Sequence, residues 1–368
     1  MSKEFFIGLI SGTSIDGVDS ALISLEGKNL KLVATHFEES QESLREDILA
    51  LSEGADISLN LLGQTNVAVG KVFASAAQNL LKKTALNAKD ITAIGSHGQT
   101  IWHNPAGKNP FTMQIGDPNT IAQMTGITTI ADFRQKDIVL GGQGAPLAPL
   151  LHRELFHHAK FDRVIINIGG MANITALPSN DKCLAFDTGP GNVLMDYWVA
   201  KHKKVRYDKN GSWGESGKSD KSLLKCLLDD PYFCLNPPKS TGRELFNKHW
   251  LNNKINEYDK PIEPEDLQAT LSELTANSIA NAVKDFCSAS EVYVCGGGVH
   301  NGFLMKNLQA LIPNTTIKTT QSLGIDPDWV ESITFAWMAK QTIENRKLDT
   351  TAFTGAEKSS ILGGIYKS

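Results

Sequence analysis

The order of predicted elements at the start of the chain occurs a second time near its middle, and this repetition constrains the fold most. The first copy begins with "FIGLISGTSIDGVDSALISLEG", in which two apolar runs flank a polar, glycine-containing turn. The second copy, "FDRVIINIGGMANITALPSNDKCLAFDTGPGN", is again strand, polar turn, strand, turn and strand. The copies share the order of elements rather than the letters, which indicates an internal structural duplication.

The rest of the pattern predicts a mixed α/β fold. Strands at 5–10, 20–25 and 30–35 precede a helix over about 59–81, and helices are also expected over about 192–201 and 264–286. A chain of 368 residues exceeds the size that one core usually supports. We therefore expect two domains, one formed by 1–132 with the segment from about 350 to 368, and the other by 133–349.

Composition argues for a small-molecule substrate. The 36 Lys and Arg residues against 40 Asp and Glu residues give a net charge of −4, so the chain offers no electrostatic case for binding nucleic acid or an anionic membrane. No run approaches the ~20 apolar residues of a membrane helix, and the N-terminus lacks a secretory pattern. We expect a cytoplasmic protein whose five cysteines are reduced thiols.

Four glycine-rich segments are each predicted to follow an apolar strand, at 11–17, 95–98, 169–170 and 296–298. Any one of them can be an ordinary tight turn. Glycine also lets backbone amides converge on an anion, and four such loops interleaved with acidic residues favour nucleotide binding. The P-loop signature is absent, and Leu194 occupies the third glycine position of a dinucleotide fingerprint in "GPGNVL".

Three aspartates are candidates for chemistry. Asp16 and Asp19 are predicted to hold Mg²⁺ through water, although Asp16 can equally be a turn residue and Asp19 a solvated carboxylate. Asp187, at the end of an apolar strand in "AFDTGPGN", is suited to accept a proton. Its alternative is to cap the helix that starts near Asn192.

Basic and polar residues between these sites are candidates for contact with a ligand. Arg134 suits a carboxylate or phosphate, with an ion pair to Asp132 or Asp137 as the alternative. His97 in "GSHGQT" is expected to line a polar cleft, and the loop "PPKSTGRE" is expected to meet nucleotide or sugar. The histidine spacing does not predict a zinc site.

The ordered motifs "GLISGTSIDGVD", "GSHGQTIWHNP", "ADFRQKDIVLGGQGAPL", "NIGGMANIT", "FDTGPGN", "CGGGVHN" and "LGIDPDWVES" resemble those of anhydro-N-acetylmuramic acid kinases over nearly the whole chain. The resemblance implies a duplicated two-domain fold of the actin-like (ribonuclease H-like) class with an ATP cleft between the domains. It also implies a reaction in which ATP and water convert 1,6-anhydro-N-acetylmuramic acid into N-acetylmuramic acid 6-phosphate, in bacterial cell-wall recycling.

The resemblance further implies roles for particular residues. Asp187 is the expected catalytic base. Arg134, Glu331 and His97 are expected near the sugar, although an acidic residue at a helix start, such as Glu331, is also a common partner of the helix dipole. ATP is expected to contact Gly12, Thr13, Ser14, Ile15, Asp16, Gly17, Val18, Asp19, Gly170, Gly296 and Gly297. A homodimer is also implied.

Two other readings predict different behaviour. An ordinary sugar or acetate kinase of the same fold would phosphorylate an existing group without water, so solvent ¹⁸O would not reach the anomeric carbon. A nucleotide-binding regulator of the actin-like class would need no base beside a sugar pocket, and Asp187 argues against that reading.

Overall fold

Two β-sheets form the centres of two separate units of the chain. The computed structural model describes residues 3–12, 14–52, 57–180, 182–287 and 289–368. The first unit comprises Met1–Leu151 and Trp329–Ser368, and the second comprises His152–Asp328. The boundaries of these units differ from those of the predicted domains. Residues 133–151 and the helix after Trp329 pack with the first sheet and so belong to the first unit.

The first sheet has seven strands, in which β1 lies at the centre. β1 pairs antiparallel with β2 and parallel with β4, and the path runs β12-β6-β4-β1-β2-β3, with β5 paired to β4. The strands are β1 Glu4–Ser11, β2 Gly17–Glu26, β3 Asn29–Glu39, β4 Ala93–Asn104, β5 Phe111–Ile115, β6 Thr129–Ala131 and β12 Gly364–Tyr366.

The second sheet repeats the core of the first. Its order is β11-β10-β7-β8-β9, with β7 antiparallel to β8 and parallel to β10, as β1 is to β2 and β4. The predicted duplication and the two-domain ribonuclease H-like fold are therefore confirmed at the level of strand order and direction. The strands are β7 Arg163–Ile168, β8 Met171–Leu177, β9 Leu184–Pro190, β10 Glu291–Cys295 and β11 Ile317–Thr319.

Helices cover the faces of both sheets. They are α1 Glu42–Ser52, α2 Leu59–Lys82, α3 Pro118–Thr125, α4 Gln135–Val139, α5 Ala148–Phe156, α6 Val193–Lys203, α7 Ser212–Ser216, α8 Lys221–Leu228, α9 Lys248–Tyr258, α10 Pro264–Phe286, α11 Gly302–Leu311, α12 Val330–Ile343 and α13 Thr351–Thr354. No helix among the described residues is both long enough and apolar enough to cross a membrane.

The two faces of β1 bury different partners. Ile7 and Leu9 point into a core that also contains Val69 and Phe73 of α2. Gly8 faces the other way, where an added Cβ would overlap the carbonyl oxygen of Ser332 in α12. Because strand side chains alternate, one strand serves both layers, and glycine on one face lets a helix lie unusually close.

Most element predictions are confirmed, and one segment was misread. α2 and α10 match the predicted helices, and Leu267, Leu271, Leu274, Ile279 and Val283 are buried together as the periodicity predicts. Residues 95–98 were expected to form a loop, but they lie inside β4. That strand continues to Asn104 because β5 pairs with its second half, and a glycine there lets α12 pack close: an added Cβ at Gly95 would overlap the Phe335 carbonyl.

Candidate active site

The turn between β1 and β2 is built from strained and close-packed backbone. Ile15 is 1% exposed. Its backbone φ is 55°, a conformation that a β-branched residue rarely adopts. Its N–H donates to the Gly12 carbonyl over 3.2 Å, and Ser14 Oγ donates to Asp16 Oδ1 over 2.6 Å. Backbone strain of this kind concentrates at ligand-binding sites. Thr13, also predicted for this site, lies outside the described residues.

The two glycines of this turn have different reasons to be glycine. A Cβ at Gly17 would overlap the Glu38 carbonyl and the Phe37 ring, so Gly17 is required by its pairing with β3. A Cβ at Gly12 would meet only Ser14 Oγ, at 3.9 Å, so Gly12 borders open space. Val18 points into the core, whereas Asp19 is half-buried on β2. Ile15 and Val18 can therefore offer a ligand only their backbone.

The turn and His97 lie at the same edge of the first sheet. Ser11 ends β1, pairs in register with Gln99 of the parallel strand β4, and donates from Oγ to Gln99 Oε1 over 2.6 Å. His97 is two residues before Gln99. Carboxyl ends of parallel strands are the edge at which open α/β sheets bind ligands.

His97 and Arg134 form a fixed pair. Arg134 Nε donates to His97 Nε2 over 2.9 Å, and Arg134 Nη1 donates to the Gly144 carbonyl over 2.8 Å. Nδ1 of His97 lies 2.9 Å from the Gly98 carbonyl, so this nitrogen carries the ring proton. Burial, and then the nearby Arg134 charge, hold the pKa of His97 well below its ordinary value. The ring is therefore neutral near pH 7.

Glu331 lies on the helix that packs against His97. It is the second residue of α12, one turn before Phe335, whose ring centroid is 4.6 Å from that of His97. Residues four apart share a helix face. The structure thus groups the three predicted sugar residues, His97, Arg134 and Glu331, in the first unit.

Asp137 fixes the loop that contains Gly144. The sequence suggested Asp137 only as an alternative ion partner of Arg134. Asp137 is 0% exposed and accepts hydrogen bonds from the Gly144 N–H at 2.7 Å and from Thr354 Oγ1 at 2.8 Å. Thr350 Oγ1 donates to the same carboxylate. An added Cβ at Gly142 would collide with it, which explains part of the glycine content of "GGQG".

In the second unit, Asp187 is 6% exposed and lies in β9. Its Oδ2 accepts from the Thr241 N–H at 3.0 Å, its N–H donates to the Lys239 carbonyl at 3.2 Å, and its own carbonyl accepts from Tyr232 Oη at 2.6 Å. The helix-capping alternative is wrong, since Asn192 is the residue that precedes α6. Asp187 is a strand residue held through one carboxylate oxygen and through both of its backbone polar groups.

Lys239 and Tyr232, which hold Asp187, were not singled out as its partners in the sequence. Lys239 is 7% exposed, and its Nζ donates inward to the Tyr232 carbonyl at 3.1 Å and lies 4.7 Å from the Tyr232 ring centroid. Burial lowers the pKa of Lys239, which Cys234 and Asp187 oppose. Burial, then the Asp187 and Glu244 charges, raise the pKa of Tyr232, so its hydroxyl remains a donor.

The glycines of the second unit also differ in role. The Gly170 carbonyl accepts from the Gly191 N–H at 2.8 Å, which ties the β7–β8 turn to the start of α6. Gly296 has φ of 81°, and a Cβ there would press against Asn167 Oδ1 and the Ile168 backbone. At Gly297, no atom of the described residues lies within 4 Å of an added Cβ. Of the two predicted glycines after β10, Gly297 is therefore the one bordered by open space.

Comparison with known proteins gives consistent results. A family model described as "Anhydro-N-acetylmuramic acid kinase" matches residues 4–368. Proteins of that name from Coxiella burnetii (strain RSA 493) and Shewanella oneidensis are each 49% identical over 369 residues, covering 100% of this chain and 98% and 100% of the relatives.

Solved structures are more distant. The activator of 2-hydroxyisocaproyl-CoA dehydratase from Clostridium difficile, with bound ADPNP, is 16% identical at a TM-score of 0.47, covering 92% of this chain and 97% of that one. A ROK family glucokinase from Streptomyces griseus is 10% identical at a TM-score of 0.41, covering 92% and 99%.

Proposed function

The chain belongs to the anhydro-N-acetylmuramic acid kinase family, and we propose that Asp187 is the general base of its reaction. The protein is an ATP-dependent kinase that opens 1,6-anhydro-N-acetylmuramic acid with water and phosphorylates O6, giving N-acetylmuramic acid 6-phosphate in peptidoglycan recycling. The observation that carries the proposal is the buried Asp187 carboxylate, whose Oδ2 accepts the Thr241 N–H.

The proton and the electron pairs can be followed through this reaction. Asp187 accepts a proton from water as the water oxygen bonds to the anomeric carbon. The bond from that carbon to O6 breaks, and its electron pair goes to O6. O6 then attacks the γ-phosphorus, and the bond from phosphorus to the β–γ bridging oxygen breaks with its pair on ADP. Transfer of this kind depends mainly on positioning and electrostatics.

Residues Gly12 to Asp19 are proposed to receive the ATP phosphates. The open space at Gly12, the strained backbone at Ile15 and the hydroxyl of Ser14 support contact through backbone N–H groups and one side chain. In the second unit, Gly170, Gly296 and Gly297 are proposed to approach the nucleotide, with Gly297 the most accessible of them.

Mg²⁺ is proposed to bind through Asp16 and Asp19. Among the residues described, no group of three or more His, Cys, Asp or Glu side chains could hold a metal ion. Two half-buried carboxylates nevertheless fit Mg²⁺, which usually keeps several waters and is held by substrate phosphates with one or two carboxylates. When bound, the ion would offset negative charge on the phosphates.

Arg134 is proposed to bind the lactyl carboxylate of the sugar. His97 holds the guanidinium by its Nε, and the Gly144 carbonyl holds it by Nη1, so its plane is fixed before substrate arrives. Glu331, on the face of α12 that carries Phe335, is proposed to accept a hydrogen bond from a sugar hydroxyl. The enzyme is further proposed to act as a cytoplasmic homodimer, as the family resemblance implies.

The decisive experiment compares wild type with Asp187→Asn in ¹⁸O-labelled water, with Asp285→Asn as the control. Asn keeps the shape and an acceptor for the Thr241 N–H but cannot take a proton, so kcat is expected to fall about 10²- to 10⁴-fold. Asp285 is exposed on α10, and its variant should match wild type.

Wild-type product should carry ¹⁸O on the anomeric carbon and be heavier than substrate by one water and one phosphoryl group. Product without ¹⁸O would indicate an ordinary sugar kinase. An Asp187→Asn variant with kcat within threefold of wild type would remove Asp187 from the role of base.

A further inference from the structure

Two side-chain oxygens close to Asp187 are buried and without a hydrogen-bond partner. Thr241 is 9% exposed, and its Oγ1 has no hydrogen-bond partner among the described residues. Asn173 Oδ1 is likewise buried and has no partner among them. Buried polar groups are nearly always satisfied, and a bound water is one way in which such an exception is resolved.

Both residues are placed beside the Asp187 carboxylate by the backbone. The Thr241 N–H donates to Asp187 Oδ2 at 3.0 Å, so the side chain of Thr241 starts next to that oxygen. Asn173 is the direct cross-strand partner of Asp187 in the β8–β9 pair. Side chains of such a pair project from the same face of the sheet with Cβ atoms about 5 Å apart.

Two other polar side chains near Asp187 direct their hydrogens to backbone carbonyls. Tyr232 Oη donates to the Asp187 carbonyl, and Lys239 Nζ donates to the Tyr232 and Phe233 carbonyls. A water held by a carboxylate, an amide oxygen and a hydroxyl would donate two hydrogens, to Asp187 and Asn173, and accept one from Thr241. One lone pair would remain for attack.

We infer that Thr241 Oγ1 and Asn173 Oδ1 bind and orient the water that attacks the anomeric carbon. This inference rests on the proposed role of Asp187 as the base, and it adds a water site to that base. Thr241 holds the water oxygen, Asn173 holds the hydrogen that is retained in the product, and Asp187 takes the other hydrogen.

Thr241→Val tests the site because valine keeps the shape and the N–H that supports Asp187 but removes the hydroxyl. The matched control is Thr320→Val. Thr320 is also buried, and its Oγ1 has no hydrogen-bond partner in the described part of the chain. Thr320 follows β11, at the edge of the second sheet opposite β9. We expect Thr241→Val to lower kcat about 10- to 100-fold, with KM for ATP and for the sugar within twofold of wild type.

Two further variants complete the test. Thr241→Ser restores a hydroxyl and should return kcat to within about threefold of wild type. Asn173→Leu should lower kcat in the same way as Thr241→Val. Thr320→Val should leave kcat within twofold, because that hydroxyl is not part of the site.

The outcomes separate this inference from the proposed base. A Thr241→Val variant no slower than Thr320→Val, or slowed only through KM, overturns the water site. If Thr241→Val does not fold, as judged by circular dichroism, Asn173→Leu decides: an unchanged kcat overturns the inference, and a loss in kcat alone supports it. An inactive Asp187→Asn with an active Thr241→Val would leave the base in place and remove only the water site.

Discussion

Arg134 and His97 are joined by a hydrogen bond of 2.9 Å in which the guanidinium Nε donates to the imidazole Nε2. The pairing of a cation with an imidazole requires the ring to be neutral, and burial together with the Arg134 charge keeps its pKa low. The pair places a fixed positive group beside the carboxyl end of β1, since His97 lies in β4 between the partners of Leu9 and Ser11.

Replacing Arg134 by lysine is expected to weaken sugar binding. Lysine keeps the charge but loses the planar fork that bonds both His97 and the Gly144 carbonyl. KM for the anhydro sugar should rise about 10- to 100-fold, the equivalent of one or two charge-assisted hydrogen bonds. KM for ATP should stay near the wild-type value.

Arg163→Lys is the matched control. Arg163 also donates from Nε to a side chain, Glu291 Oε2, and from Nη1 to a carbonyl, that of Phe156, but it begins β7 in the second unit. Equal changes in sugar KM for both variants would contradict the proposed role of Arg134.

Substitution of Asp137 by asparagine should reduce stability and sugar affinity together. The fully buried carboxylate accepts hydrogen bonds from the Gly144 N–H, Thr350 and Thr354. In the asparagine variant, the side-chain NH₂ group would face at least one of these donors and could not accept its hydrogen bond. We expect a loss of about 2–4 kcal/mol in the free energy of unfolding. Because Gly144 also accepts from Arg134, sugar KM should rise.

Urea unfolding and steady-state kinetics measure both effects of Asp137→Asn. Asp285→Asn, at an exposed position of α10, is the comparison and should change neither. Wild-type stability in Asp137→Asn would mean that the network does not hold this loop.

Alanine at Gly8 should destabilise the first unit severely. The new Cβ would overlap the Ser332 carbonyl of α12, so the helix would have to move away from β1. The expected cost is about 3 kcal/mol or more. Gly63→Ala, with nothing within 4 Å of the new atom in the exposed part of α2, should instead raise stability by about 0.5–1 kcal/mol. Thermal unfolding of both variants gives the comparison.

The buried His152 predicts a pH dependence of stability. Burial lowers the pKa of His152 to about 3 in the folded chain, whereas the pKa of the unfolded chain's histidine is about 6.5. Between these pH values the unfolded chain binds a proton at His152 and the folded chain does not. Stability from this residue is therefore complete above pH 6.5 and is lost as pH falls toward 3. The loss amounts to about 2 kcal/mol between pH 7.5 and 5.

His152→Gln isolates this contribution. Its amide can still bond Thr175 Oγ1, which lies 2.8 Å from His152 Nδ1, but it does not titrate. Burial raises the pKa of Asp132 and Glu244, and these groups act in the opposite direction, so the test is the difference between wild type and variant in urea unfolding. The prediction would be contradicted if the free energy of unfolding changed with pH in the same way for wild type and His152→Gln.

Candidate site residues could be selected from the sequence where a polar residue follows an apolar run. Asp187 was selected because the apolar run before it predicts a strand that ends there, whereas β9 continues to Pro190. Gly12 was selected because it opens a polar turn after β1. Prediction failed for Gly95, whose glycine serves helix packing inside β4. Glycine carries the same letter whether it opens a ligand site or admits a helix, and only the neighbouring element distinguishes the two.

The sequence by itself determined the duplicated order of elements, the helices that bury one face, and the family, because periodicity and motifs are local properties. Tertiary structure decided which polar side chains are buried and which distant groups form hydrogen bonds with them. Asp137 meets Thr350 across 213 positions of the chain, and Asp187 meets Thr241 across 54. Local periodicity does not encode such pairings, since desolvation of a carboxylate depends on which distant donors the packed fold brings to it.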